Sequence, residues 1–244
     1  MSAHIPIGYK VENGVPVVDD ENRLLGIVTF DDAIDVLQDE ATEDIEKMAA
    51  IIPSEKPYLK TGIFETWKHR IPWLLLLMVS ATFSGRIIDS FESSLSACVV
   101  LTAFIPMLMD TAGNSGGQTS VTIIRSLSLG DIETSDILRI IWKEIRVAII
   151  CGITLAVVNF IKMLIFDYGM LSSSNQSAVL VAFVVNLAMV VTVLFAKIVG
   201  SILPLAAKKL GFDPAVMASP FITTIVDAFA LLVYFNIAKV ILGL

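Results

Sequence analysis

The chain has 244 residues, 55% of them hydrophobic and only 17% charged, with a mean hydropathy of +0.79 and a net charge of −7. A soluble domain carries roughly 45–50% apolar and about 25% charged residues, so most of this chain is built for lipid. Most of the negative charge falls in residues 12–55, and this balance argues against nucleic acid as a partner.

At the N-terminus, Met1–Lys10 has no basic region followed by an apolar core, so no cleavable signal is expected. Residues 1–50 alternate like a small α/β fragment. In it "VPVV" reads as a strand, "DDEN" as a turn and "LLGIVT" as a second strand, with Asp31 or Asp32 as the N-cap of an acidic helix. The acidic series Asp31, Asp32, Asp35, Asp39, Glu40, Glu43 and Asp44 fits a solvated helix face, or a cluster that divalent ions would screen. So short a segment cannot bury a sizeable core. Pro53 and Pro57 punctuate its exit, and "YLKTGIFETWKHR" is amphipathic enough to lie along a membrane surface. The organisation expected is 1–50 soluble, 51–69 connecting and 70–244 membrane-embedded.

Five apolar spans follow, near 71–90, 94–127, 146–166, 177–206 and 215–242. Each meets or exceeds the roughly 20 residues that cross a bilayer core as helix. Cys98 and Cys151 fall inside these spans, where structural thiols are the simplest reading. Ten basic residues flank the spans on one side: Lys56, Lys60, Lys68, Arg70, Arg125, Arg139, Lys143, Arg146, Lys208 and Lys209. Arg86, Lys162 and Lys239 fall on the other. The excess of basic residues places the N-terminus in the cytoplasm and the C-terminus outside.

Within the second span, "PMLMDTAGNSGGQTSVTIIRSL" turns from apolar to small and polar. Gly113 and Gly117 form a GxxxG pair, which helix packing explains. Packing does not explain Asp110, Asn114 and Gln118 at i, i+4 and i+8, a stripe on one helix face. Such a stripe at membrane depth points to water or an ion. In the fifth span, "ASPFITTIVDAFALLVYF" carries Asp227 well inside an apolar helix. A carboxylate there costs about 2.5–3.5 kcal/mol on insertion scales, so it marks a functional site by default. Thr223 and Thr224 precede it by one turn, Ala230 follows by one turn, and Pro220 frees a carbonyl near Val216.

These donors are carboxylate, amide, hydroxyl and carbonyl oxygens, with no His or Cys cluster to suit zinc, copper or iron. A sparse oxygen set suits Mg²⁺, which keeps several of its waters. Donor chemistry alone leaves Mn²⁺ and Na⁺ open. No activated nucleophile or acid–base pair suggests an enzyme.

Two segments, "FIPMLMDTAGNSGGQTSVTIIRSLSLGDI" and "GFDPAVMASPFITTIVDAFALLVYF", closely resemble the MgtE family of bacterial magnesium channels. "VPVVDDENRLLGIVTFDDAIDVLQDEATEDI" resembles the closing half of that family's second CBS domain. The resemblance implies an all-α polytopic protein of the plasma membrane, five helices per subunit, with a short α/β CBS piece at the N-terminus. It further implies a homodimer whose ion path follows the two-fold interface, conducting partly hydrated Mg²⁺ and related divalent ions such as Mn²⁺ or Co²⁺. By that likeness Asp227 is the pore aspartate, with Gly113, Asn114 and Thr223 as further contributors. Asp110 and Gln118 extend the same polar set, and Ser219 stands where the family commonly has Asn. The alternatives are a secondary transporter coupled to Na⁺ or H⁺, with Asp227 as its coupled carboxylate, and a membrane-anchored regulatory module.

Overall fold

A computed structural model of the chain describes residues 14–54, 56–172, 176–217 and 219–244, leaving aside the side chains of residues 217 and 219. The signal-peptide expectation for Met1–Lys10 and the side chain of Ser219 therefore lie outside the described residues. The chain divides into two compact units between Glu46 and Lys47.

In the first unit, β1 (Gly14–Val18) and β2 (Leu24–Thr29) form an antiparallel hairpin with an irregularity at Val17/Val18. Asp19 builds the turn. Its Oδ1 accepts the amides of Glu21 and Arg23 at 3.0 and 2.8 Å, and its Oδ2 accepts Arg23 Nε at 2.8 Å. Asn22 takes the left-handed conformation the turn needs, with φ 59°. Helix α1 (Phe30–Met48) follows β2 directly. Neither Asp31 nor Asp32 precedes the helix, contrary to the sequence expectation. Thr29 does, and Asp32 reaches back to accept its amide at 3.0 Å as well as its hydroxyl. That is the acidic half of a capping box. These hydrogen bonds hold the Asp32 carboxyl below its ordinary range. No residue of α1 is buried, which suits a solvated acidic face.

The second unit holds α2 (Ile63–Ser90), α3 (Glu92–Ala97), α4 (Ile105–Ser128), α5 (Ile137–Phe166), α6 (Tyr168–Ser172), α7 (Ala178–Lys209) and α8 (Ser219–Leu242). From Ile63 onward, the amphipathic stretch read at 58–70 forms the first turns of α2 and runs on through Pro72. The apolar run 94–127 is interrupted. It folds as α3, a 3-10 stretch over Val99–Phe104, and then α4. A bilayer does not tolerate loose backbone, and Tyr234 of α8 meets that need by donating its hydroxyl to the Leu101 carbonyl at 2.9 Å.

Helix α7 is central and packs against α4, α5 and α8. Small residues permit close approach. A Cβ on Gly200 of α7 would lie 2.3 Å from the Gly116 carbonyl oxygen of α4, so the two helices touch backbone to backbone. Between α5 and α7, Asn159 donates to Asn186 Oδ1 at 2.9 Å, and Asn186 donates to the Ala182 carbonyl at 2.7 Å. The outer faces are greasy. Helix α2 buries nothing and exposes Leu74, Leu75, Met78, Val79 and Phe83, while α5 exposes Ile149, Ile153, Val157 and Ile161. Apolar area on this scale marks contact with lipid.

Among the described residues, four helical stretches are long and apolar enough to cross a membrane: Ile63–Ser90, Thr134–Phe166, Ala178–Lys209 and Pro220–Leu242. Helix α4 is not one of them. Its 24 residues reach about 36 Å, enough to span, but its polar side chains lower its hydropathy.

Candidate cation path along α4 and α8

The polar stripe of α4 takes shape from its spacing. Ala112, Gly113, Ser115, Gly116, Gly117, Thr119 and Ser120 are buried, whereas Asp110, Asn114 and Gln118 are exposed along one face. Thr122 and Arg125 extend the exposed line toward the helix C-terminus. From Asp110 to Arg125 the line covers about 22 Å at 1.5 Å per residue.

Helix α8 lies against α4 at Gly113, where a Cβ would come 3.0 Å from the Thr223 methyl group. About one turn further along α4, a Cβ on Gly116 would lie 2.7 Å from Ile222 Cγ2 and 3.0 Å from the Ala196 carbonyl oxygen. The close contacts at Gly113 and Gly116 thus bring α8 and α7 onto α4. Ile222, Val226 and Ala230 form the buried edge of α8. Asp227, one residue on from Val226, is partly exposed and within electrostatic range of Asp110. The hydroxyls of Thr223 and Thr224 both donate to the Pro220 carbonyl, at 2.9 and 3.1 Å. That bonding turns them back along the helix onto the proline's own carbonyl, not onto the one expected to be freed near Val216.

Asp110, Asn114 and Gln118 also line a cavity of about 510 Å³ whose far wall is α5, with Cys151 and Thr154, and whose lining includes Lys197 of α7. The structure therefore brings Asp110, Asn114, Gln118, Gly113, Thr223 and Asp227 into one neighbourhood of α4 and α8. Among the described residues no three His, Cys, Asp or Glu side chains gather as a metal cage. An ion here would be held by few protein oxygens and retain water, as Mg²⁺ does.

Sequence reading missed Lys197. It is 5% exposed, and its ammonium donates to the Thr119 hydroxyl at 3.2 Å and lies 3.9 Å from Glu144 Oε2. The signal was present: Lys197 is the single charge between Ala178 and Ala207, and an intramembrane charge is a functional hypothesis in itself. Glu144 was hidden differently, because the apolar span read at 146–166 begins just after it.

At one end of the unit the chain gathers several helix termini. Lys208 donates to the Leu127 carbonyl at 3.2 Å, supplying a cation to the C-terminus of α4. Lys47 pairs with Asp213 at 2.5 Å, and Asp213 also accepts the Ala215 amide at 2.8 Å ahead of α8.

Comparison with known proteins accounts for this arrangement. Residues 105–237 match the family model MgtE, described as a divalent cation transporter, and residues 8–39 match the CBS domain. The chain is 36% identical over 228 residues to the magnesium transporter MgtE of Thermus thermophilus, covering 93% of this chain and 48% of that protein. It is 38% identical over 224 residues to the magnesium transporter MgtE of Bacillus subtilis, covering 92% and 47%. The chain spans about half the length of the curated relatives it matches. With α4, α7 and most of α8 inside the matched region, this chain belongs to the MgtE family of divalent cation transporters.

Proposed function

We propose that the chain carries Mg²⁺ across the plasma membrane along the polar face of α4, with Asp227 of α8 as the residue that attracts the ion. The observation that supports this most directly is the exposed line of Asp110, Asn114 and Gln118 beside Asp227, on a helix packed among lipid-facing neighbours. Relatives named magnesium transporters supply the cargo.

On this reading α4 is the fifth membrane span, and its polar stripe is covered by a second copy of the chain. The two stripes flank one water-filled path. Lipid would leave the amides of Asn114 and Gln118 unsatisfied, whereas a shared aqueous path satisfies them. The ion keeps most of its waters, which the amide and hydroxyl oxygens contact, and the carboxylates of Asp227 and Asp110 supply the charge. Mn²⁺ and Co²⁺ are divalent ions of similar size that the same path would admit. The excess of basic residues flanking the spans on one side sets that side, and with it the N-terminus, in the cytoplasm. The first unit is a partial CBS-like segment, 51–69 connects it, and 70–244 conducts.

The test is Mg²⁺ uptake into liposomes holding the native chain, with Mn²⁺, Co²⁺ and Na⁺ in parallel and single-channel recording beside it. Divalent uptake with resolved unitary currents supports a channel. Uptake that requires a Na⁺ or H⁺ gradient replaces it with a coupled carrier, and no uptake of any divalent ion removes the proposal.

A further inference from the structure

Three helices meet at one hydroxyl. Thr119 of α4 donates to Glu144 Oε2 of α5 at 3.0 Å and accepts from the Lys197 ammonium of α7 at 3.2 Å. All three are largely withdrawn from solvent, with residue Thr119 at 4% exposure and the side chains of Lys197 and Glu144 at 7% and 14%. Stability alone does not account for them, because a buried ion pair can be replaced by apolar residues of similar volume at little or no loss.

The adjoining contact suggests what they do. Helix α4 rests on α7 through Gly116 against Gly200, backbone on backbone. Two glycines allow close approach but offer no side chain to key the rotation of one helix about its axis. Hydrogen bonds do, since they weaken steeply away from linearity. Thr119 follows Gln118 by one residue, about 100° around the helix, so fixing Thr119 inward fixes the outward direction of Gln118. Asn114 and Asp110 lie on the same line as Gln118 and face the same cavity, which the Lys197 side chain also lines.

We propose that Thr119 and Lys197, with Glu144, are positioning residues: they set the rotation of α4 that turns Asp110, Asn114 and Gln118 into the cation path. The identity of the cargo rests on the Mg²⁺ reading above, whereas the rotation is measured without it.

Cys151 lines the cavity and reports on it through its rate of modification by a small water-soluble thiol reagent, while Cys98, 2% exposed, stays silent. In the full chain in liposomes, Thr119→Val keeps the shape and both charges but loses the hydroxyl. Its Cys151 rate and its half-saturating Mg²⁺ concentration should each change by about fivefold or more, the worth of at least one of the two hydrogen bonds lost. Thr119→Ser, which keeps the hydroxyl, should restore both to about the native values. Native labelling and native half-saturation in Thr119→Val would overturn the proposal. If the native chain carries no Mg²⁺, the cargo reading fails and labelling alone decides the rotation. If Thr119→Val does not fold, Lys197→Met combined with Glu144→Gln takes its place. That pair should keep native thermal stability with altered labelling, and native labelling there would equally sink the idea.

Discussion

Asp227 combines a cost in folding with a gain in ion attraction, and the two can be separated. A hydrated divalent ion about 5 Å from the carboxylate gains about 2 kcal/mol even at the dielectric constant of water, more than tenfold in occupancy. Asp227→Asn removes that attraction at constant size, so Mg²⁺ flux should fall by roughly tenfold or more. The same change relieves an intramembrane charge that costs about 2.5–3.5 kcal/mol, so thermal stability should hold or rise. Flux in liposomes and thermal unfolding of the same preparation check both halves. Unaltered flux would leave Asp227 a structural residue. The carboxylate was legible in the sequence because one charge in an apolar run has no local explanation. The pairing of Lys197 with Glu144 was not, because its partners stand 53 positions apart and meet only when α5 packs on α7.

Among the elements, α4 is where packing and path coincide. Its inner face must be small so that α7 and α8 approach, while its outer face is polar. Gly200→Ala would set a methyl group 2.3 Å from the Gly116 carbonyl oxygen, and a backbone atom cannot swing aside as a side chain can. We expect a loss of about 1–3 kcal/mol, the usual penalty of overpacking, with flux falling as α4 moves away from α7. Leu127→Ile is the control. Leu127 is buried with Ile123, Ile140 and Leu205, and a volume-conserving exchange there should cost under about 1.5 kcal/mol and leave flux near native. Thermal unfolding in detergent gives the first quantity and ion uptake the second. Equal losses at both positions would mean that the Gly116–Gly200 contact has no special place.

For the whole molecule, the proposed second copy makes a prediction about the exposed stripe. In a Cys151→Ser background, which removes the thiol sharing the Asn114 cavity, Asn114→Cys should form a disulfide-linked species of twice the 26.5 kDa chain mass. Val79→Cys, on the lipid-facing side of α2, should not. The check is non-reducing electrophoresis after mild oxidation of membranes. Crosslinking at Val79 and none at Asn114 would move the interface to α2 and leave the α4 stripe without a partner.

The sequence by itself determined the solvent, the polar stripe, the position of Asp227 and the hairpin around "DDEN". Each is a local pattern: composition within one span, a fourfold spacing on one helix, or a turn between two strands. It also carried the family, because the segments around Asp110–Gln118 and Asp227 are distinctive over whole stretches. Only the tertiary structure decided the break at residues 91–104, since an apolar run reads alike whether its backbone is one helix or several. It likewise decided that Thr29 leads into α1, although Asp31 and Asp32 are the stronger capping residues by type, because Asp32 bonds back to Thr29 only once the first turn has formed. The Thr119 clamp depends on bonds spanning 25 and 78 positions. Periodicity records which face of a helix is polar, but the direction of a hydrogen bond between helices exists only once those helices are packed.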